Sequence, residues 1–177
     1  MVMNSPQDAA ITAAETARLV RQLADIESIR QLKHRYCELC DADYDADALA
    51  ALFTDDAVWD GGPMGAHHGR EAIRRFFQGS STRVAFALHM VLNPQIEVDG
   101  NVARARWYLW QPMVYRLPGG EQAWWMSARY DDRCVRTDQG WRFARVQVAL
   151  KILAPYAQGW GEARLHDVYG ALRGPSS

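Results

Sequence analysis

The strongest constraint on the fold lies in the second half of the chain, where four long stretches follow one another with only short turns between them. These stretches cover residues 83–99, 101–117, 121–137 and 140–153. Turn signals such as Asp99-Gly100 and Pro118-Gly119-Gly120 separate them, and connections this short join antiparallel strands. Because a sheet of such long strands must twist and curl, the sequence predicts a curved antiparallel sheet.

The first half of the chain has the periodicity of helices. Its apolar positions, spaced three or four residues apart, are Leu19, Leu23, Ile26, Ile29, Leu32, Tyr36 and Cys40. This spacing predicts one buried helix face over about residues 13–40, and Thr12 with Glu15 forms a capping-box pattern at its start. Shorter helices are predicted over residues 46–53 and 69–78. Helices followed by a long strand meander indicate an α+β fold, with the helices on one side of the sheet.

A chain of 177 residues with 49% hydrophobic side chains fits one domain with a substantial core. We expect residues 12–155 to form that domain, residues 1–11 to be a flexible leader, and residues 156–177 to be a C-terminal tail. The glycine- and proline-containing tail is expected to cover either a partner or the mouth of a pocket.

Charge and targeting signals favour a cytoplasmic protein without nucleic-acid or membrane partners. The formal net charge is −1, so the chain as a whole carries no basic footprint for polyanions. No apolar run reaches transmembrane length, and the first ten residues do not resemble a secretory signal. Three cysteines, an odd number without a framework, indicate reduced thiols in the cytosol.

Asp41 and His89 are candidate chemical groups. Asp41 ends the long helix, where the macrodipole disfavours a carboxylate, so a buried Asp41 would need a compensating donor or cation. His89 lies in an apolar stretch of a predicted strand. If the two met, the carboxylate would fix the imidazole tautomer and leave the other nitrogen as a general base. The ordinary alternatives are a solvated loop acid and a satisfied core histidine, and Tyr36, on the same helix face, is either a hydrogen-bond donor or packing bulk.

Patterns typical of metal sites are incomplete, so no metal site is predicted. The spacing of Asp41, Asp43 and Asp45 resembles the start of an EF-hand loop, but Ala46 replaces the required glycine. The CxxC spacing of residues 37–40 lies within a helix and has no second pair. The His67-His68 pair also lacks a metal-binding frame.

Several segments together resemble one known family. They are residues 26–36, 40–41, 53–59, 69–73, 88–90, 93–94, 105–109 and 140–143. Over about residues 20–155 the chain resembles the SnoaL-like branch of the nuclear transport factor 2-like superfamily. That resemblance implies a cone-shaped, curved antiparallel sheet wrapped around N-terminal helices. It also implies a homodimer or homotrimer, and it implies no cofactor.

The resemblance is sharper to dehydratase-like members of this superfamily: bile-acid 7α-dehydratase, scytalone dehydratase and hexachlorocyclohexane dehydrochlorinase. The catalytic tyrosine, aspartate and histidine of the bile-acid enzyme fall on Tyr36, Asp41 and His89. This implies a cofactor-independent lyase, a dehydratase or a relative that abstracts a proton, acting on a small hydrophobic cyclic substrate. The alternatives are a polyketide cyclase or isomerase with the same pair, or a non-catalytic module that binds a small ligand.

Three positions depart from those relatives, and all concern the substrate. Tyr36 occupies the position of the dehydrochlorinase's lysine. Gln111 stands where the bile-acid enzyme has an acidic residue, and Lys151 lies one position from its late-strand arginine. Aromatic side chains available as pocket walls, with Lys151 as a polar partner, give the candidate substrate-binding set Trp59, Phe86, Trp107, Trp110, Trp125 and Lys151. Which of them face inward stays open, because a strand bulge near Asn93-Pro94 would reverse the register.

Overall fold

The computed structural model describes residues 11–168. Its helices are α1 (Ala13–Asp41), α2 (Ala46–Ala50), α3 (Arg70–Gln78) and α4 (Ser80–Arg83), with a 3₁₀ turn at Gly62–Met64. Its strands are β1 (Phe53–Asp60), β2 (Ala66–His68), β3 (Val84–Ala87), β4 (Met90–Asp99), β5 (Val102–Leu117), β6 (Gly120–Thr137) and β7 (Gly140–Pro155). The expected leader lies outside the described residues except for Ile11, and so does the end of the expected tail.

The seven strands form one sheet in the order β2-β1-β7-β6-β5-β3, and β4 pairs with β5 on the same edge as β3. All neighbours are antiparallel except β1 and β7, which run parallel. Along β5, buried Ala103, Ala105 and Trp107 alternate with exposed Arg104 and Arg106, so one face of the sheet covers the core. The predicted α+β class with a curved antiparallel meander is confirmed.

Helix α1 begins with the predicted capping box. Thr12 Oγ1 accepts a hydrogen bond from the Glu15 backbone N–H, and the Glu15 side chain accepts one from the Thr12 backbone N–H. The predicted buried face was too long, because Leu19 and Leu23 are exposed and the buried positions begin at Ile29. A helix of 29 residues is about 44 Å long. Its buried positions lie in the C-terminal half, and Asp25 adds polar bonds to Trp141 and Arg136 of the sheet. Within residues 11–168, no helix is both long enough and apolar enough to span a bilayer.

The chain over residues 83–99 is interrupted where a single strand was predicted. Strand β3 ends at Ala87 and β4 begins at Met90, which places His89 in a two-residue break. In that break the His89 backbone N–H donates to both carboxylate oxygens of Asp41, at 2.9 and 3.1 Å, and makes no ladder bond. The carboxylate at the end of α1 therefore sets the position of the break.

The bulge considered near Asn93-Pro94 is present. The β4–β5 register shifts between Leu92 and Gln95, and Asn93 has a left-handed φ of 50°. The positions after the shift therefore face differently from what strict alternation along residues 83–99 would give.

A salt bridge that the sequence analysis did not predict lies in the core between α1 and β6. Lys33 Nζ is 3.1 Å from Asp132 Oδ2, and both side chains are fully buried. The same ammonium lies 3.2 Å above the centre of the Tyr130 ring. Burial raises the pKa of Asp132, and the Lys33 charge and the Trp107 indole oppose that rise. Each charge depends on its partner, since neither reaches water.

Removing one member of this pair should destabilise the fold strongly. We expect Lys33→Met to lower the free energy of unfolding by about 3–5 kcal/mol, because it leaves Asp132 buried without its cation. The double variant Lys33→Met/Asp132→Leu should recover most of the loss. The control is Arg30→Met, which removes a half-exposed bridge to Glu27 and should cost less than about 1 kcal/mol. Equal urea midpoints for the Lys33 and Arg30 variants would contradict the assignment.

Candidate active site

A cavity of about 370 Å³ lies between the concave face of the sheet and the helices. Its aromatic wall includes Tyr36, Trp59, Phe76, Phe77 and Tyr130. Its floor is the inward face of β5, at Leu109, Gln111, Met113 and Tyr115. This volume falls within the range of cavities that hold compounds of drug size.

His89 lines this cavity, and Asp41 contacts it from the end of α1. The Asp41 carboxylate accepts the two backbone bonds described above, and its Oδ1 lies 2.6 Å from His89 Nδ1. The side chain of His89 is 7% exposed and that of Asp41 is 24% exposed. An ionised Asp41 makes Nδ1 the protonated nitrogen, so Nε2 carries the lone pair that can accept a proton.

The turn after α1 holds a third ring against this pair. Asp43 and Tyr44 both adopt left-handed φ values, 65° and 58°, which cost energy in residues other than glycine. The turn brings the Tyr44 ring to 6.4 Å from the imidazole of His89, edge to face, and stacks it on Phe77 at 6.3 Å. The strained turn thus restricts the space around His89.

Tyr36 lies in the cavity wall as a protonated phenol. Its hydroxyl accepts a hydrogen bond of 3.0 Å from Trp59 Nε1, and burial raises the pKa of Tyr36 well above its ordinary value. The Cys40 thiol is its other polar neighbour. A phenol in this state can donate its hydrogen bond to a ligand oxygen.

Gln111 is a cavity residue that the sequence analysis noted only as a departure from the bile-acid enzyme. Its side chain is 2% exposed, and within residues 11–168 its Oε1 has no hydrogen-bond partner. Its amide N–H makes only a 3.7 Å contact with Met113 Sδ. Because Leu88 N–H donates to Pro112 O, the chain places His89 opposite Gln111 across the β3–β5 edge. The oxygen is closed off even from the cavity, so a ligand O–H or N–H group would reach it only after the Gln111 side chain turned toward the cavity.

Of the six candidate substrate-binding residues, only Trp59 lines the cavity. Trp107 points inward but is buried in the core beside Asp132, beyond the cavity wall. Phe86 is 52% exposed, because the β3–β5 register shifts between Val84 and Phe86. Both assignments are therefore corrected.

Trp110, Trp125 and Lys151 also lie outside the cavity. Leu109 and Gln111 face the cavity, so strand alternation sends Trp110 to the outer face, where its ring stacks on Trp125 at 5.2 Å. Lys151 is exposed at a bulge of β7, where the pairing with β6 skips one residue. These three assignments are corrected as well.

The first part of the expected tail, from residue 156 to residue 168, is described in the structure. Trp160 packs edge-on against Trp110 and Trp125, at 5.6 and 6.0 Å. Leu153 exchanges backbone hydrogen bonds with Arg164 and His166. His166 lies edge-on to the buried Trp124 ring at 6.3 Å, and Val168 is fully buried in the core. As far as residue 168, the tail therefore contacts the outer face of the sheet and the end of β7 and then packs into the core.

The cysteines are poor nucleophiles in the folded protein. Cys37, Cys40 and Cys134 are free and buried. Burial raises the pKa of Cys37 to about 12 and also raises the pKa of Cys40 and Cys134. Since the thiolate is the reactive form, we assign no chemistry to these residues.

Solved structures share this architecture. A Novosphingobium aromaticivorans protein, provisionally named an aromatic ring hydroxylase, is 26% identical with a TM-score of 0.69, covering 77% of this chain and 96% of its own. A provisionally named scytalone dehydratase from the same organism is 23% identical with a TM-score of 0.67, covering 76% and 89%. A hexachlorocyclohexane dehydrochlorinase from Novosphingobium barchaimii is 21% identical with a TM-score of 0.69, covering 83% and 98%.

Sequence comparison identifies the family. An uncharacterized protein of Mycobacterium tuberculosis is 32% identical over 127 residues, which is 71% of this chain and 85% of that protein. The model of the SnoaL-like domain matches residues 21–147, a span that holds α1 from Arg21 onward, all of the cavity lining except Val148, and most of the sheet. This chain belongs to the SnoaL-like domain family.

Proposed function

We propose that this protein is a cofactor-independent lyase of the dehydratase type that acts on a small hydrophobic cyclic substrate. The observation that carries the proposal is the Asp41–His89 contact at the wall of a largely apolar cavity. The structural likeness to proteins named as a scytalone dehydratase and a dehydrochlorinase supports it, since both names denote eliminations.

His89 is the proposed general base. Its Nε2 removes a proton from a ring carbon next to an activating group, while Asp41 holds the Nδ1 proton and stabilises the imidazolium that forms. The electron pair of the broken C–H bond forms the new double bond, and the bond to the neighbouring hydroxyl breaks. The imidazolium returns its proton to the departing hydroxyl, so water leaves and His89 is restored.

Tyr36 is proposed to stabilise the charge that develops on a substrate oxygen. Its hydroxyl is protonated at neutral pH, because burial raises the pKa of this phenol. In a cavity with aromatic walls, a donor aimed at a developing negative charge is worth more than it would be in water. Trp59 orients the phenol through the 3.0 Å bond from its indole.

The first test measures turnover of hydroxylated steroid, polyketide and other ring alcohols, and of halogenated rings, with product identified by mass spectrometry. We expect His89→Gln and Asp41→Asn to lower kcat/KM about 100-fold or more, because both remove general-base catalysis. The matched controls are His34→Gln and Asp43→Asn, which alter exposed residues and should retain activity.

Full activity in both test variants would remove this mechanism. Loss in the His89 variant alone would leave Asp41 a structural role. Binding of ring compounds that are all recovered unchanged would instead favour a non-catalytic ligand-binding module.

The second test uses Gln111, whose buried carbonyl has no partner in the described structure. We expect Gln111→Leu to raise the free energy of unfolding by about 1–3 kcal/mol, because the variant no longer buries an unsatisfied amide. The same variant should lower kcat/KM for a substrate of the wild type. A variant that is less stable than the wild type, or equally active, would show that Gln111 serves packing and not the ligand.

A further inference from the structure

The cavity has a second polar end, separate from the Asp41–His89 pair. Along its floor, His89 lies opposite Gln111, whereas Val84 at the start of β3 pairs with Tyr115. Gln111 and Tyr115 are four positions apart along β5, which corresponds to about 13 Å along the strand. A ligand in the cavity can therefore contact different chemistry at each end.

Arg83 carries the charge at this second end. Among the cavity-lining residues of the described chain it is the only Asp, Glu, Lys or Arg side chain. Within residues 11–168, no carboxylate lies within ion-pair distance of its guanidinium, whereas Arg70, Arg74 and Arg145 all have carboxylate partners. The described cavity wall thus holds a cation that no wall carboxylate neutralises.

The guanidinium is positioned by neighbours that leave its charge uncompensated. Its carbon lies 5.7 Å from the centre of the Phe76 ring, and Nη2 is 3.4 Å from Ser80 Oγ. Phe76 in turn packs on Trp59 at 4.3 Å. Behind Arg83, the side chain of Arg116 donates to backbone carbonyls on both sides of it and fixes the end of α4. Arg83 is therefore held against the aromatic wall.

His67 completes this end of the cavity as a neutral group. Its ring stacks on Phe76 at 4.4 Å, and its buried Nε2 has no hydrogen-bond partner within residues 11–168. Burial lowers the pKa of His67; a hydrogen bond to the Met64 backbone opposes that shift, and the nearby Arg83 charge adds to it. At pH 7 this end therefore has one fixed positive charge beside a neutral imidazole. The Ser80 hydroxyl already donates to the Phe76 carbonyl and accepts from Arg83, so the guanidinium is the group left to bind an anion.

We propose that Arg83 binds a carboxylate of the substrate, so that the substrate class is a ring compound with an acid group remote from its reacting carbon. A planar carboxylate matches the forked guanidinium, and one unpaired arginine balances one such charge. The anion site is argued from geometry alone. Only the statement that its ligand is a substrate rests on the proposed lyase function.

Calorimetric titration with matched acids and amides tests the site directly. The probes are benzoate, 2-naphthoate and 2-anthroate, each compared with its neutral primary amide, at pH 7.5. We expect the wild type to bind at least one acid about tenfold or more tightly than its amide, which corresponds to about 1.4 kcal/mol. Arg83→Met should abolish that preference, Arg83→Lys should retain part of it, and added salt should weaken only the acid.

The controls separate the anion site from folding and from catalysis. Arg75→Met changes an exposed arginine of α3 and should keep the acid preference. Arg83→Gln provides a second neutral variant if the methionine variant does not fold. An acid no tighter than its amide in the wild type, or a preference that survives in the neutral Arg83 variants, would overturn the proposal.

The same titrations distinguish this proposal from the lyase. His89→Gln should keep the acid preference while losing turnover. An Arg83-dependent preference without turnover of any tested compound would retain the anion site and remove the lyase. Turnover of a tested compound without any preference for acids would retain the lyase and remove the anion site.

Discussion

The site depends on one carboxylate, Asp41, and on the donors that surround it. A negative charge at the C-terminal end of a 29-residue helix is unfavourable unless nearby donors compensate it. His89 supplies both its backbone N–H and its imidazole Nδ1. Because that N–H bonds to Asp41, the strand breaks at His89 and the ring faces the cavity. One interaction thus explains the end of the helix, the interruption of the sheet and the orientation of the imidazole.

Local patterns in the sequence predicted the elements well, and side-chain direction poorly. Helix α1 and the three long hairpin strands follow from periodicity, a capping box and glycine turns, all of which act over a few residues. The Asp41–His89 contact spans 48 residues and was predicted only through family resemblance. Trp110 and Trp125 were predicted to line the cavity because they are aromatic. Composition, however, does not reveal which face of a strand a side chain occupies. In a strand, a shift of one residue turns every side chain to the other face.

The buried pair of Lys33 and Asp132 shows a second limit of sequence reasoning. From the sequence, a lysine on a helix face next to apolar positions is expected to reach solvent. Its acidic partner Asp132 lies 99 positions later in the chain, on β6. The Tyr130 ring lines the cavity and also contacts the Lys33 ammonium. The chain therefore keeps a buried lysine–aspartate pair in its core, and one of the rings that line the cavity also contacts this pair.

The distribution of unsatisfied groups argues that the cavity is built for a ligand. Within residues 11–168, the buried side-chain polar atoms without a hydrogen bond fall in only two places. One is the cluster around Lys33 and Asp132, where opposite charges compensate each other. The other is the cavity wall, at His67 and Gln111, where no charge does so. Because an unsatisfied buried polar group costs stability, a fold selected for stability alone would have apolar side chains there. Together with the left-handed turn beside His89 and the uncompensated Arg83, these positions concentrate backbone strain and unpaired groups around one cavity, which is the pattern of a site kept for a ligand and not for packing.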